Sequence, residues 1–128
     1  MEECPQDLGF SLVHVGINTG APEEAAALAG LFAAAFGFPV RQGSSSYFAG
    51  SGIEIMKSRY LGRNGHIAIG TKDLNKAIEH LEARGFSMDR DTFKYSGETL
   101  TAAYLKGDFG GFAVHLVKAA EPAGPSGT

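Results

Sequence analysis

Residues 52–69 read GIEIMKSRYLGRNGHIAI, and how they divide decides the fold. Ile53 and Ile55 flank Glu54, and Ile67 and Ile69 alternate with His66 and Ala68, so each end of the stretch has the period of a strand with one apolar face. A glycine-containing basic connection, with Arg59, Tyr60 and Arg63, separates them. The chain before the connection forms one structural unit, and the chain after it repeats that unit.

Working backwards, FSLVHVGIN (10–18) alternates, with Val13, Val15 and Ile17 on one face and Leu12, His14, Gly16 and Asn18 on the other. Pro22 suits a first helical position, and Glu23 and Glu24 suit the first turn. Leu28, Leu31, Phe32, Ala35 and Phe36 predict the stripe that such a helix packs on a sheet, and Gly37 ends it. Residues 38–43, 44–49 and 52–57 read as three short strands. Working forwards, 65–71 is again a strand. Asp73 is the expected N-cap of a helix with the stripe Leu74, Ala77, Ile78 and Leu81, and Gly85 stops it. Residues 86–95, 99–106 and 111–118 supply three more strands.

HVGINT at His14 and HIAIGT at His66 lie 52 residues apart, the Gly-Phe pairs at Gly37 and Gly85 lie 48 apart, and Glu54 and His115 occupy matching final strands 61 apart. The fold class is therefore α+β, two βαβββ units (10–58 and 65–118) forming a cupped mixed sheet as a single domain over 10–118. A flexible lead (1–9) and a flexible Pro/Gly-rich tail (119–128) are expected to flank it. One unit alone leaves an apolar sheet face uncovered, so two must pair, within one chain or between the two chains of a homodimer.

Composition bounds the function. The chain has 128 residues, 44% hydrophobic and 20% charged, the size of one compact domain. A net charge of −3 offers no basic footprint for nucleic acid or an anionic membrane. No apolar run is long enough to span a bilayer, and the acidic start lacks the apolar core of a secretory signal. The single cysteine, Cys4, has no internal partner, which predicts a reduced thiol and a cytoplasmic setting.

Strand alternation puts His14, Glu54, His66 and His115 on the face opposite the aliphatic residues, with small neighbours at Gly16, Gly52, Ala68 and Ala113. A lone histidine on an apolar strand is more often a satisfied core group than a ligand. Four polar residues at equivalent places are not so readily explained, because burying them unpaired is costly. Imidazole and carboxylate together suit a divalent metal such as Zn, Ni, Fe, Mn or Co. His80 falls off its helix's apolar stripe and is expected to be solvated. Arg59, Arg63 and Tyr104 are candidate substrate contacts, with Lys106 of the same standing.

The motifs LVHVGI, GIEIM, NGHIAIG and DFGGFAVHL resemble the metal-ligand strands of the vicinal oxygen chelate superfamily, from about Phe10 to Lys118, and in particular of bacterial-type lactoylglutathione lyase (glyoxalase I). The resemblance implies His14, Glu54 and His66 as metal ligands. His115 stands where that family has a glutamate that serves as its proton-transfer base, so Glu54 or His115 becomes the catalytic proton carrier, and His115 serves either in that role or as a fourth ligand. The run FAGSGIEIMKSRYLGRNGHIAIGT is similar to a glyoxalase-like module fused to the C-terminal end of some bacterial 2-keto-3-deoxy-6-phosphogluconate/4-hydroxy-2-oxoglutarate aldolases. That likeness implies a 2-keto acid or sugar-acid phosphate ligand and an aldolase partner. The expected function is a metal-dependent lyase or isomerase on a small carbonyl substrate bound through vicinal oxygens. The alternatives are a non-heme iron dioxygenase and a non-catalytic small-molecule binding module.

Overall fold

A computed structural model describes residues 5–119; Cys4 and the expected tail from 120 onward lie outside the described residues. The chain forms β1 (Ser11–Asn18), α1 (Pro22–Phe36), β2 (Val40–Gln42), β3 (Ser46–Ala49), β4 (Ile53–Met56), β5 (Gly65–Thr71), α2 (Leu74–Ala83), β6 (Met88–Ser96), β7 (Thr99–Leu105) and β8 (Phe112–Lys118). All eight strands make one sheet in the order β2-β3-β4-β1-β5-β8-β7-β6. The two βαβββ units meet where β1 and β5 run antiparallel, while β1–β4 and β5–β8 are parallel within their units. Pairing is thus completed within one chain, and the sheet curves into a cup with both helices on its convex side.

The helices begin and end as their sequences dictate. Asp73 accepts from the Lys76 amide at 3.0 Å and caps α2, and Gly37, with φ of 76°, closes α1 in the left-handed region that glycine tolerates. Leu74, Ala77 and Ile78 join Met88, Leu100, Ala103, Leu105 and Leu116 in one half of the core. The other half is smaller: Ala25, Ala29, Ala49 and Ile55, with Leu28, Phe32, Tyr47 and Ile53 packed against it.

Four local expectations are corrected. The sheet-facing stripe of α1 is Ala25, Leu28, Ala29 and Phe32, whereas Leu31 and Phe36 are 58% and 63% exposed and Ala35 is exposed. After Glu24 that helix has no charged residue to mark a polar side, and alanines, which let it lie close to the sheet, outcompete larger side chains for the inner face. In β1 the period-2 pattern is broken. Leu12 pairs with Ile69 and His14 with Ala68, leaving Val13 as the extra residue of a bulge and both Leu12 and Val13 exposed. The expected flexible lead is ordered by a short helical turn over Pro5–Leu8 and anchored at its end: Leu8 is buried, and its carbonyl accepts from Thr71 Oγ1 at 2.6 Å and the Lys72 amide at 3.0 Å. That segment leads into Phe10, whose ring lies 6.0 Å from that of His80; His80 is buried rather than solvated, accepting at Nδ1 from Arg84 Nη1 at 3.1 Å.

Candidate metal centre

Sheet register builds the centre from two rows of residues on the concave face. One row crosses from Arg41 (β2) through Phe48 (β3), Glu54 (β4) and Gly16 (β1) to His66 (β5) and Ala113 (β8). The other runs from His14 (β1) through Ala68 (β5) and His115 (β8) to Tyr104 (β7) and Asp89 (β6). Gly16 and Ala68 stand beside the functional groups in these rows, so the rings lean over the sheet instead of standing off it. Gly16 is the extreme case, since a methyl group there would fall inside the His66 imidazole.

The result is a tight knot of donors. His14 Nε2 and His66 Nε2 are 3.2 Å apart, and Glu54 Oε1 lies 3.2 Å from the first and 3.1 Å from the second. Ser46 Oγ donates to Glu54 Oε2 at 2.7 Å, which fixes the carboxylate's orientation. The ring nitrogens of His14, His66 and His115 that face the knot all lie within 4.8 Å of one another. All four sequence-predicted donors therefore converge within one chain.

Electrostatics leaves Glu54 and His115 in ligating form. Burial pushes the Glu54 carboxyl up, but hydrogen bonds from His14, His66 and Ser46 outweigh it and hold the group well below the usual carboxylate range. Burial lowers His115 from 6.5 to about 3, with His66 and His14 adding to the effect, so its imidazole is neutral at physiological pH. Neutral imidazole and ionised carboxylate are the states that bind a divalent cation. Both nitrogens of His115 and Nδ1 of His66 are buried with no hydrogen-bond partner among the described residues. Buried polar atoms rarely go unpartnered, and a cation at the centre of the knot would engage His115. The donor set fits a metal.

Two aromatic rings flank the knot. Phe48 meets His14 edge-on at 6.1 Å, and buried Tyr104 stacks on His115 at 4.5 Å with an interplanar angle of 19°. Burial, with Tyr60 and Glu54 nearby, pushes the Tyr104 hydroxyl up to about 12, so it remains a neutral donor. The predicted substrate residues separate. Tyr104 also lines a cleft of about 310 Å³ with Gly62, Asp89, Lys106 and Ala113. Arg59 donates to the Arg63 carbonyl at 3.2 Å, and Arg63 pairs with Asp108 at 3.2 Å, so both arginines are engaged in exposed contacts of the loop. Sequence reasoning does not reach Ser46, Phe48 and Arg41. The glycines at Gly50 and Gly52 imply a hairpin, and carrying its register across aligns Phe48 with Glu54.

No family model matches the sequence, and no curated protein matches it. Solved structures do. A hypothetical protein from Bacillus halodurans C-125 superposes with a TM-score of 0.62 at 18% identity, over 91% of this chain and 99% of that one. The methylmalonyl-CoA epimerase of Streptomyces coelicolor, as a serine-to-threonine variant with 2-nitronate-propionyl-CoA, gives 0.58 at 18% identity over 86% and 94%. A methylmalonyl-CoA epimerase holding methylmalonyl-CoA and an ammonium ion gives 0.58 at 18% over 86% and 96%. The fold is the glyoxalase-like fold. Among the described residues no helix is long and apolar enough to cross a membrane.

This geometry sets two expected outcomes. Gly16→Ala is expected to displace His66 and cost about 1–3 kcal/mol, lowering the melting temperature by roughly 4 °C or more, whereas Gly52→Ala, where a methyl meets no atom within 4 Å, leaves it nearly unchanged. Metal-free protein is expected to lose stability as pH falls from about 6.5 to about 4.5. In that window the unfolded chain takes up a proton at His115 that the folded chain, with its lowered pKa, refuses. Glu54, ordinarily titrating at 4.5, adds in the same direction only at lower pH. Urea unfolding across the window reads the slope, which should flatten in His115→Phe.

Proposed function

We propose that the protein is a divalent-metal-dependent isomerase or lyase of the glyoxalase type, acting on a small carbonyl or 2-keto acid substrate. The observation that carries this reading is the knot itself, three imidazoles and one carboxylate facing a common point, with the nitrogens of His115 unpartnered among the described residues. His14, Glu54, His66 and His115 would hold the metal, which when bound supplies a Lewis acid to polarise vicinal substrate oxygens. The chain supplies the rest. Ser46 holds Glu54 in orientation, Tyr104 and Phe48 wall the knot on either side, and Tyr104 fixes the plane of the His115 ring.

Glu54 and His115 are the two groups offered for proton movement. Glu54 has both oxygens engaged, by Ser46 on one side and by His14 and His66 on the other. The ring nitrogens of His115 make no hydrogen bond to any described residue, so we assign it the proton-carrying role at the substrate carbon, as the donor free to leave the ligand set. The epimerase names of two structural neighbours support an isomerase, and the resemblance to aldolase-linked modules supports 2-keto acids and sugar-acid phosphates as the first compounds to test. A dioxygenase would need open positions for both substrate and O₂, and His115 fills one of them whenever it is in the ligand set. The reading places the protein with a small-molecule substrate and, through the module resemblance, an aldolase partner.

Plasma mass spectrometry of untagged protein tests the metal directly. About one equivalent of a transition metal per chain is expected, falling below about a tenth of that in Glu54→Ala/His66→Ala with circular dichroism unchanged. Protein that stays metal-free after reconstitution with several divalent ions contradicts the reading. With metal present, solvent-deuterium incorporation at a substrate carbon supports the isomerase, and oxygen consumption would replace it with the dioxygenase.

A further inference from the structure

The knot uses the ring of Tyr104 and leaves its hydroxyl. The side chain is 5% exposed, stacked on His115 at 4.5 Å and met edge-on by Tyr60 at 6.1 Å. The hydroxyl nevertheless makes no hydrogen bond to any described residue, and unlike the nitrogens of His115 it is not sealed from solvent, so it opens into the cleft of about 310 Å³ that Tyr104 lines. Burial keeps it protonated. A fixed aromatic ring with an unpartnered donor at its tip is a preorganised contact for a ligand.

This cleft lies on the face that carries the knot. Tyr104 is aligned with His115 across β7–β8, and a second wall, Ala113, is aligned with His66 across β5–β8, so two of its walls are register neighbours of two of the donors. Gly62 closes it from the connection that leads into β5. Its carbonyl accepts from Asn18 Nδ2 at 2.9 Å, and a side chain there would strike the Gly65 carbonyl and the Ala113 amide nitrogen, so the wall is pressed against the sheet. The remaining polar walls are charged. Asp89, opposite Tyr104 on β6, has Oδ1 accepting from the Asp91 amide at 3.3 Å, while Oδ2 has no partner among the described residues. The Lys106 ammonium makes no hydrogen bond or ion pair with any described residue. In the first unit the places of Tyr104 and Asp89 are held by Phe48 and Arg41, so the hydroxyl and the carboxylate are particular to the second.

These three groups limit what can occupy the cleft. A phenol and an ammonium donate and a carboxylate accepts, so an apolar chain would strand all three, and a phosphate drawn by Lys106 would be repelled by Asp89. A hydroxyl both donates and accepts and carries no charge. We propose that this cleft is the subsite for the far end of the substrate and selects a neutral, hydroxylated chain, with Tyr104 and Lys106 donating to its hydroxyls and Asp89 accepting from them. The subsite rests on the proposed function for the substrate head at the knot and names the substrate class of that centre. Its own three groups act with or without a metal.

Calorimetric titration of metal-loaded and metal-free protein with 2-hydroxyhexanoate, gluconate and 6-phosphogluconate tests it. The three share a carbon chain and a 2-hydroxy-carboxylate head; gluconate adds hydroxyls along the chain, and 6-phosphogluconate adds a terminal phosphate to those. Gluconate is expected to bind about 10-fold tighter than 2-hydroxyhexanoate, and the phosphate to add nothing. Tyr104→Phe, which keeps the ring on His115, should cut that preference by about threefold or more with metal content unchanged, and Asp89→Ala should nearly abolish it. Arg41→Met, on the opposite rim, should leave it as it is. Equal affinity for gluconate and 2-hydroxyhexanoate, or a preference that survives either Tyr104→Phe or Asp89→Ala, overturns the subsite, and tighter binding of 6-phosphogluconate than of gluconate overturns the neutral chain. Metal-loaded protein without the preference sinks the subsite alone. Protein that takes up no metal but keeps a preference dependent on Tyr104 and Asp89 sinks the proposed function and leaves the subsite standing. Failure of all three probes to bind either form overturns the subsite, while metal content judges the proposed function separately.

Discussion

The constraint on which the structure depends is that four lone-pair donors share one point on a largely buried sheet face. Glu54 Oε1 touches two imidazoles at 3.1 and 3.2 Å, and the third imidazole stands by with no partner among the described residues. Gathering a carboxylate and three imidazoles away from water is costly, and only protons on the rings that face Glu54, or a cation, can join them. The cluster's surroundings are shaped to tolerate it. Gly16 and Ala68 clear space for rings to lean across the sheet, Ser46 donates its one proton to Glu54, and Phe48 and Tyr104 close the sides. A stability-driven sheet would fill these positions with β-branched residues.

The repeat explains how the cluster arises and where it is unequal. Two identical units meeting at β1–β5 would present matching donors from both halves, and His14 and His66 do match. The final strands differ, with Glu54 against His115, and so do their cross-strand partners, Phe48 against Tyr104, and the rim, Arg41 against Asp89. The asymmetry is chemical rather than architectural. One half offers an anionic ligand with an apolar wall and a cationic rim, and the other a neutral ligand under a phenol with an acidic rim.

Much of this is legible in the chain. The strands around Glu54 and His66 and the paired units follow from period-2 alternation and glycine punctuation, and the four donors follow from their equivalent places in the repeat. Period and repeat say which face a residue is on, but not which neighbours it meets across strands. Ser46, Phe48 and Arg41 escape such a reading because their relation to Glu54 exists only in the β2–β3–β4 register. Alternation also cannot foresee a bulge, so it assigns Val13 to an interior that the residue leaves. On α1, a run of alanines and large apolar residues without a polar side gives no direction to the stripe. His80 reads as solvated from its own helix alone, because its cover comes from Phe10, distant in sequence.

The central claim is that the knot is a metal site with a defined ligand set. Anomalous diffraction at the absorption edge of the bound metal, from crystals of the metal-loaded protein, tests it most directly. The account predicts one strong peak per chain at about 2.0–2.2 Å from Nε2 of His14, Nε2 of His66 and a Glu54 oxygen, with a nitrogen of His115 completing the set or withdrawn toward the substrate. A peak elsewhere on the chain, or none at the knot in protein shown to contain metal, would contradict it.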